Sequence, residues 1–470
     1  MTRVWNPGGP GGRAAVTPHT ALLLRGLSVL EQQDPVLADL LDDELAEQSW
    51  TLAMVASASI AAPAVLAAAA AVLSNLTVEG YPGARYHPGS RHFDKVERLA
   101  EVRARAVFGA QYANVQPHSC SSANLAVLSS LLPPGGVLLG LGLDAGGHLT
   151  HGSSASVTGH HYRAVGYGVD EDGWIDYDGA HRLAREHRPG VIVAGASAYP
   201  RQIDFARFRE IADDVGAYLL ADISHIAGLV AAQEHPSPVD LAHVTTTSTY
   251  KQLGGPRGGL VLIGAEHRTP GPDGRTTLAD LVARGVFPRT QGTPNPAAVA
   301  AKAGAFGLLG GDAARLTARR TVENARAVAE GLRGLGHRLL TGGTDNHMVV
   351  VDLRPSGVSG LVAERALEEC GILANRNRIP GDTRPPMVTS GLRLGTNSLA
   401  QRGMGPAEMA RCVALVDRVL TGVVSLDDTA YTLDPHLRRA VRAEVRELCA
   451  GFPLPGYPIP PLPTGPEVPQ

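Results

Sequence analysis

The sequence predicts an α/β protein in which a large, mostly parallel β-sheet is followed by a smaller α/β domain. Between Val137 and Ile263, short apolar runs alternate with helical segments, as is typical of βαβ units. After Gly310 a long helical segment restarts the same alternation. The 470 residues, 44% apolar and 19% charged, are enough for two domains and do not fit a disordered or fibrous chain.

The N-terminal part of the chain contains three predicted segments. Residues 1–18 are rich in glycine and proline and are expected to be disordered. Residues 19–75 form a predicted helical arm, because leucines recur at three- and four-residue spacing and Pro35 marks a break. The Ala-rich stretch 61–73 is too short to span a membrane and predicts a buried amphipathic or core helix instead.

The strands and helices of the two domains follow from the same patterns. In the large domain, residues 76–308, the predicted strands are 137–143, 190–194, 217–221 and 259–263, with helices at 178–187 and 205–216. In the smaller domain, residues 309–454, the prediction is a helix at 313–335, a strand at 348–353, a helix at 360–370, a strand near 392–394 and two terminal helices. The Pro-rich tail, residues 455–470, is expected to be extended or disordered.

Charge and cysteine usage exclude several classes of function. The net charge of −3 gives no indication of binding to nucleic acid or to an anionic membrane. The four cysteines are scattered and form no CxxC pair, so neither a disulfide framework nor a thiolate metal site is predicted, and a cytoplasmic protein is expected. Only three of the 42 basic residues are lysines: Lys95, Lys251 and Lys302.

Lys251 is the first candidate for chemistry. A run of β-branched and hydroxyl residues, VTTTSTY, leads to this lysine at the start of a Gly-rich loop. A desolvated amine has a lowered pKa and adds readily to an aldehyde, so Lys251 is either a Schiff-base lysine or an ordinary loop lysine. Lys95 is expected to face solvent, and Lys302 to snorkel or face solvent.

Asp222 and a group of serines are the next candidates. Asp222 ends an apolar strand, where it is either the partner of a pyridinium nitrogen or a helix N-cap. Ser119, Ser121 and Ser122 stand at the start of a helix, where they form either a phosphate site or a multiple-serine cap.

Two further residues complete the candidate constellation. His148 opens a run of four histidines, but no carboxylate or cysteine stands at ligand spacing, so we predict no metal site and favour a ring stacked on a planar cofactor. Arg393 interrupts an apolar strand, where it pairs either with a substrate carboxylate or with an internal acid. An amine, a pyridinium partner, a phosphate site, a stacking ring and a carboxylate clamp together indicate pyridoxal phosphate.

Several long phrases resemble the serine hydroxymethyltransferase family: EGYPGARY, ANVQPHS, GGHLTHG, HIAGL, GPRGG and TSGLRLGT. The resemblance runs from about residue 40 to about residue 453. It implies a fold-type I pyridoxal-phosphate transferase of the aspartate aminotransferase-like class, with a seven-stranded sheet in the large domain. It also implies a homodimer with shared active sites.

The resemblance assigns expected roles to the cofactor residues. Lys251 is expected to form the imine with the cofactor aldehyde, and Asp222 to hold the pyridinium nitrogen. His148 is expected to stack on the ring. The remaining expected cofactor contacts are Ser119, Cys120, Ser121, Ser197, His225, Tyr250, Thr77, Gly292 and Thr293, of which Ser119, the Cys120 backbone and Ser121 hold the phosphate.

The resemblance also implies the substrate residues. Arg393 is expected to bind the amino-acid carboxylate, and Ser57 is expected near the substrate. Glu79 matches the family's acid/base glutamate, which in the family crosses from the partner subunit. Tyr86 and His87 are expected at the mouth of the substrate site.

Departures from the family pattern suggest the direction of specialisation. The family has a histidine where this chain has Tyr250, tyrosines at Thr77 and His87, and a glycine at Cys120; the glutamate of its IASEN phrase is missing from VASAS at 55–59. These changes lie in the phosphate loop and at the substrate and folate mouth. We therefore predict an L-threonine transaldolase of specialised metabolism, such as antibiotic biosynthesis, that transfers a glycyl unit to an aldehyde. The alternative is a tetrahydrofolate-dependent hydroxymethyltransferase, and whether folate binds remains open.

Overall fold

A computed structural model describes residues 16–462. The expected disorder of residues 1–15 and the end of the Pro-rich tail, 463–470, lie outside the described residues. Residues 455–462 of the tail have no helix or strand, and their first part packs on the protein, because the Tyr457 hydroxyl donates a hydrogen bond of 2.6 Å to the carbonyl of Ala61.

Within these residues the large sheet has seven strands, numbered β1 to β7: Tyr112–Asn114, Val137–Leu141, Arg163–Tyr167, Val191–Gly195, Tyr218–Asp222, Val244–Ser248 and Gly259–Ile263. Their order across the sheet is β1-β7-β6-β5-β4-β2-β3. Strands β3, β2, β4, β5 and β6 are parallel, and β7 runs antiparallel to β6 and β1. The predicted large, mostly parallel sheet is therefore confirmed.

Both faces of this sheet are buried, which explains why its central strands read as continuous apolar runs. In β5, Leu219 and Ala221 join the core on one face, and Leu220 joins the core on the other. Helix Phe205–Val215 packs on the first face, and helix Cys120–Leu131 packs on the second. The prediction missed β1 and β3, which lie at the two edges of the sheet and are short or partly exposed. It also gave no strand bounds for β6, whose sequence VTTTS is rich in hydroxyl side chains.

A second sheet builds the smaller domain. Its strands, β8 to β11, are Arg338–Leu339, Met348–Asp352, Asn375–Asn377 and Gly391–Gly395. They pair antiparallel in the order β8-β9-β11-β10. Leu52 and Met54 from the N-terminal part pack in the core of this domain, and Leu52–Ala53 pairs with Ile372–Leu373. The smaller sheet thus places Arg393 in the middle of β11.

The helices connect and cover these sheets. The α-helices are Pro18–Gln33, Pro35–Trp50, Pro63–Ala69, Arg91–Phe108, Cys120–Leu131, Val157–His161, Tyr177–His187, Phe205–Val215, Ala227–Ala231, Leu278–Arg284, Pro296–Leu309, Asp312–Gly334, Gly360–Glu369, Asn397–Gln401, Pro406–Gly422 and Pro435–Gly451. Short hairpins pair Gly80–Tyr81 with Ala84–Arg85 and Val423–Ser425 with Tyr431–Leu433. None of the helices described has the length and apolar character that a membrane span requires.

The predicted break in the N-terminal arm is confirmed at Pro35. The carboxylate of Asp34 accepts a hydrogen bond of 3.1 Å from the amide of Leu37, and Pro35 occupies the first helical position, where its missing N–H costs nothing. Of the two forms of helix expected at 61–73, the core helix is wrong, because the helix covers only Pro63–Ala69 and buries only Val65, which packs with Ala301 and Ala305. Alanine side chains are small enough to be left exposed at little cost, so an Ala-rich run does not by itself indicate burial.

The expectation that Lys302 faces solvent is also wrong. Its side chain is 2% exposed in helix Pro296–Leu309. The amine donates hydrogen bonds to the carbonyls of Val115, Pro117 and Gly259. Burial lowers the pKa of Lys302 to about 7. A buried polar group is tolerated when it is hydrogen-bonded, and here the partners come from segments far away in the sequence.

Candidate active site

Several candidate residues lie just beyond the carboxyl ends of the parallel strands, where open α/β sheets bind ligands. Asp222 is the last residue of β5, Lys251 follows β6 by three residues, and Ser197 follows β4 by two. Ser119 precedes helix Cys120–Leu131. Segments that are distant in the sequence therefore converge on one edge of the sheet.

Asp222 is buried and is held by hydrogen bonds from several directions. Its carboxylate accepts from the Ser224 hydroxyl at 2.6 Å, from the Asn124 amide at 2.9 Å and from His151 Nε2 at 3.1 Å. Burial opposes ionisation, but the bonds from His151 and Ser224 outweigh it and hold the pKa of Asp222 below its usual range. An ionised carboxylate in this position can hold a proton on a ring nitrogen.

His148 is a neutral ring next to this carboxylate. Its Nδ1 lies 2.8 Å from the Thr150 hydroxyl, and burial lowers the pKa of His148 to about 4. A neutral imidazole can stack on an aromatic ring without placing a buried cation against it. Sequence reasoning missed His151 and Asn124, because their common partner Asp222 lies 71 and 98 residues away.

The fold places the Asp222 carboxylate close to His148 and His151, although the spacing of residues in the sequence did not predict a carboxylate there. One ligand atom each of His148, His151 and Asp222 lie within 4.8 Å of one another. The hydrogen bond between His151 and Asp222 accounts for the closeness of two of these residues.

Lys251 is buried, with 7% of its surface exposed. Burial is the main cause that lowers the pKa of its amine, while the charge of Asp222 acts in the opposite direction. Within residues 16–462 no hydrogen bond or ion pair occupies the amine. Its ammonium lies 6.0 Å from the ring centroid of Tyr250, and that ring packs instead against Arg257 at 3.9 Å.

Arg393 is a second buried cation without a carboxylate partner among the described residues. It is 8% exposed, and its Nε donates a hydrogen bond of 3.1 Å to the side-chain oxygen of Asn375. One of its terminal nitrogens donates to the carbonyl of Ser197. Burial lowers the pKa of Arg393 to about 10. The internal salt bridge considered as an alternative is not formed, so the guanidinium is available for an external anion.

His225 lies between these two cations. Burial is the main cause of its lowered pKa, and the charges of Lys251 and Arg393 lower it further. Its Nδ1 is buried without a hydrogen-bond partner among the described residues. The ring stacks on His347, with centroids 5.8 Å apart. Sequence reasoning did not single out His347, because its role depends on a stack between the two domains.

The serine-rich helix start combines both predicted alternatives. Ser119 and Ser122 form a reciprocal cap, in which Ser119 Oγ accepts from the Ser122 amide and Ser122 Oγ accepts from the Ser119 amide. The first-turn N–H groups of Cys120 and Ser121 have no acceptor inside the helix, so they can bind an anion. Cys120 Sγ lies 3.0 Å from the Ser224 hydroxyl and 3.6 Å from Asp222.

Other predicted residues form a separate, more exposed group. Glu79 Oε2 lies 3.4 Å from His87 Nε2, and both side chains are about 40% exposed (38% and 43%). Tyr86 is 73% exposed and packs against Phe287. Thr77 is exposed, and a side chain at Gly292 would contact the Glu79 carboxylate. The structure shows no contact between this group and Lys251 or Arg393 within the described chain.

Two segments hold this exposed group in place. The Val78 amide donates to the Thr293 hydroxyl at 2.8 Å. Arg85 donates to the carbonyls of Val78 and Gly80, on either side of Glu79. Ser57, the remaining candidate, lies half-buried in the segment that leads from the small-domain core.

A family model described as serine hydroxymethyltransferase matches residues 30–416 of this chain. The chain belongs to the serine hydroxymethyltransferase family. A serine hydroxymethyltransferase of Phenylobacterium zucineum (strain HLK1) is 46% identical over 422 residues, which cover 90% of this chain and 95% of the relative. The protein is thus a pyridoxal-phosphate-dependent transferase of fold type I, as the resemblance implied.

The candidate site has the groups that this family's cofactor requires. It combines a buried amine that has no partner among residues 16–462, an ionised buried carboxylate, a neutral ring and a helix N-terminus. Two buried basic groups without acidic partners in this part of the chain favour an anionic ligand. These residues therefore fit pyridoxal phosphate together with an amino-acid carboxylate.

Proposed function

We propose that this protein cleaves the bond between the α- and β-carbons of L-serine and passes the released one-carbon unit to tetrahydrofolate, with glycine as the other product. The name of the 46%-identical relative supports this reaction over the predicted transaldolase. The observation that carries the proposal is that, within the described residues, Lys251 and Arg393 are buried basic side chains without an acidic partner, while the ionised Asp222 is close enough to affect the Lys251 amine.

The cofactor would be held by residues of both candidate groups. Pyridoxal phosphate supplies an aldehyde that reacts with amines and a ring that accepts the electron pair of a broken bond. Lys251 holds the aldehyde carbon, Asp222 keeps the ring nitrogen protonated, and His148 covers the ring. The proposed contacts to its phenolic oxygen and phosphate are His225, Ser197, Ser119, Cys120, Ser121 and, from the second subunit of a homodimer, Thr77, Gly292 and Thr293. Tyr250 lines the site next to Lys251.

The substrate would be oriented by its carboxylate. Arg393 binds this group with both terminal nitrogens, and Ser57 donates to it. Holding the carboxylate would fix the orientation of the α-carbon in the site, and this orientation would select which of its bonds is broken.

Glu79 would move the proton of the β-hydroxyl group. A carboxylate at the mouth of the site can accept this proton during cleavage and return it in the reverse reaction. Glu79 lies in the exposed group, which is why we propose that it serves the site of the other subunit in a homodimer. Tyr86 and His87 line the same mouth.

The contact between His87 and Glu79 favours a second candidate function, the transfer of a glycyl unit from L-threonine to an aldehyde. The relatives' pattern has a tyrosine at position 87, so here an imidazole instead of a phenol lies 3.4 Å from the acid/base carboxylate. A different hydrogen-bonding group at this mouth would alter the choice of acceptor without affecting Lys251 or Arg393.

Two parallel reactions test the proposal. Purified protein loaded with pyridoxal phosphate receives L-serine and tetrahydrofolate in one tube, and L-threonine with an aromatic aldehyde in the other. We expect glycine and methylenetetrahydrofolate in the first tube. Product only in the second tube would establish the transaldolase and exclude the folate-dependent reaction. A protein that binds pyridoxal phosphate but converts neither donor would contradict both functions.

A further inference from the structure

Lys302 has no part in the proposed chemistry, although it is one of the three lysines of the chain. Its amine is fully surrounded by backbone carbonyls, at 2.6 Å from Val115, 3.0 Å from Pro117 and 2.9 Å from Gly259. Burying an amine inside a helix–sheet interface is unfavourable unless its donors are used. The position of the three carbonyl acceptors therefore indicates which segments Lys302 holds together.

The acceptors belong to two segments, one that leads into the candidate phosphate site and one that follows the loop after Lys251. Val115 and Pro117 lie in the connection between β1 and the serine-rich helix, two to four residues before Ser119. Gly259 begins β7, directly after the loop that follows Lys251. The Gly259 amide also donates to the Pro117 carbonyl at 2.9 Å. The Lys302 amine thus fastens the Ser119 segment to the end of the lysine loop.

The two glycines at this junction show how closely it is packed. A Cβ on Gly259 would lie 2.2 Å from the Ser119 carbonyl oxygen. A Cβ on Gly258 would lie 2.3 Å from Lys302 Cε and 2.8 Å from its Nζ. The side chain of Lys302 fills the space next to Gly258. A shift of the lysine would therefore also shift the loop between Lys251 and Gly259.

We infer that Lys302 is a positioning residue for the cofactor phosphate: by joining the backbone of Val115 and Pro117 to Gly259, it orients Ser119 and the first turn of the following helix toward that phosphate. This inference rests on the proposed function, because it takes residues 119–121 as the phosphate site. It assigns to Lys302 no contact with the cofactor or the substrate.

The test compares pyridoxal phosphate with pyridoxal, which lacks the phosphate. Lys302→Met keeps the apolar stem and removes the donors. We expect its dissociation constant for pyridoxal phosphate to rise by about 10- to 100-fold, the size of effect seen for groups that orient a ligand's direct contacts. The dissociation constant for pyridoxal should change less than about 3-fold, because the phosphate contacts are absent. Lys95→Met, at an exposed lysine, is the matched control and should leave both constants unchanged.

A merely structural role would change both constants together or neither. An equal loss of affinity for the two aldehydes, or wild-type affinity for pyridoxal phosphate, would overturn the inference. If wild-type protein converts L-serine while Lys302→Met binds pyridoxal phosphate normally, the inference fails and the proposed function stands. If wild-type protein does not bind pyridoxal phosphate at all, the proposed function fails.

A second variant keeps the test decisive if Lys302→Met does not fold. Gly258→Ala retains the lysine but pushes its stem from the junction. We expect the same selective loss of affinity for pyridoxal phosphate, by about 10-fold. The affinity of Gly258→Ala for pyridoxal should change less than about 3-fold, because pyridoxal makes no phosphate contacts. A loss of equal size for the two aldehydes, or an unchanged affinity for pyridoxal phosphate, would contradict the inference.

Discussion

Lys251 and Lys302 are both buried, with 7% and 2% of their surface exposed, but their amines have different surroundings. Lys302 donates to three carbonyls, whereas Lys251 has no hydrogen-bond partner within the described residues. Burial alone therefore does not distinguish a chemical role from a structural one. The hydrogen bonds of the amine distinguish the two roles. A buried amine whose N–H donors have no acceptor lowers the stability of the protein, and a bound ligand can offset this cost.

The same contrast recurs between two arginines of the smaller domain. Arg402 is 7% exposed and donates to the carbonyls of Ser49, Thr51, Cys449 and Phe452, so it joins the N-terminal arm to the last helix. Arg393 is similarly buried, but within the described residues its hydrogen bonds go only to Asn375 and to the Ser197 carbonyl. In both domains, one buried cation is used by the backbone and one is left for a ligand.

The largest expected effect comes from removing the amine that has no partner. Lys251→Ala should lower kcat for L-serine cleavage by about 10⁴-fold or more, as when a covalent catalytic group is lost. The visible absorbance of lysine-bound cofactor should disappear as well. Lys95→Ala is the matched control, since Lys95 is exposed. A Lys251→Ala protein that retained this absorbance would show that another amine holds the cofactor.

The next effect concerns Arg393. Arg393→Met removes the group proposed to hold the substrate carboxylate, which should cost about 2–5 kcal/mol of binding and raise KM for L-serine by about 30-fold or more. Arg393→Lys restores the charge but not the two parallel donors, so a partial recovery is expected. Steady-state kinetics with cofactor at saturation measures both variants. An unchanged KM for Arg393→Met would assign the carboxylate to another residue.

Unfolding of the cofactor-free protein compares the two kinds of cation directly. Lys302→Met should lower the free energy of unfolding by about 3 kcal/mol, because each carbonyl that loses its donor inside the protein costs about 1–3 kcal/mol and water can recover part of this loss. Lys251→Met should leave the stability unchanged or raise it, since it replaces an unpartnered amine with an apolar side chain. Urea unfolding of both variants provides the measurement. A similar loss of stability in the two variants would refute the distinction.

The sequence predicted the chemically used residues better than the structurally used ones. Lys251 and Asp222 stand at the ends of apolar strands, where local pattern alone identifies a functional position. Lys302 stands in an Ala-rich helix whose faces look alike in the sequence, so no pattern indicates which side is buried. Its acceptors lie 43 to 187 residues away, and only the fold brings them together.

The edges of the sheet and the support of Asp222 were missed for the same reason. β1 and β3 are short or partly exposed, so they lack the continuous apolar run of a central strand. His151 and Asn124 acquire their role only when the strand ending in Asp222 lies next to them. The local sequence pattern therefore predicts where the site lies. Long-range contacts determine which neighbouring side chains shift the pKa values of its residues.

The smallest expected effect extends the comparison to two acids on helix Arg91–Phe108. Glu97 is fully buried and pairs with Arg85 and Gln116, whereas Glu101 has no hydrogen bond or ion pair within the described residues. Burial and the nearby Glu97 raise the pKa of Glu101 from 4.5 to about 7, against the opposing charges of Arg105, Arg98 and Arg85. The folded protein thus binds more protons than the unfolded chain between pH 4.5 and 7, and it loses stability as the pH rises through this range.

Glu101→Gln removes this loss, so the variant should exceed the wild type in Tm at pH 8 and match it near pH 4.5. Glu97→Gln is the matched comparison and should lower Tm at pH 8, because the buried guanidinium of Arg85 loses a carboxylate partner. Thermal unfolding monitored by circular dichroism at the two pH values measures these differences. A gain in Tm for Glu101→Gln of the same size at both pH values would show that the Glu101 carboxyl does not titrate between them. In that case the cost in stability that we infer for basic side chains without a partner would not apply to the Glu101 carboxylate.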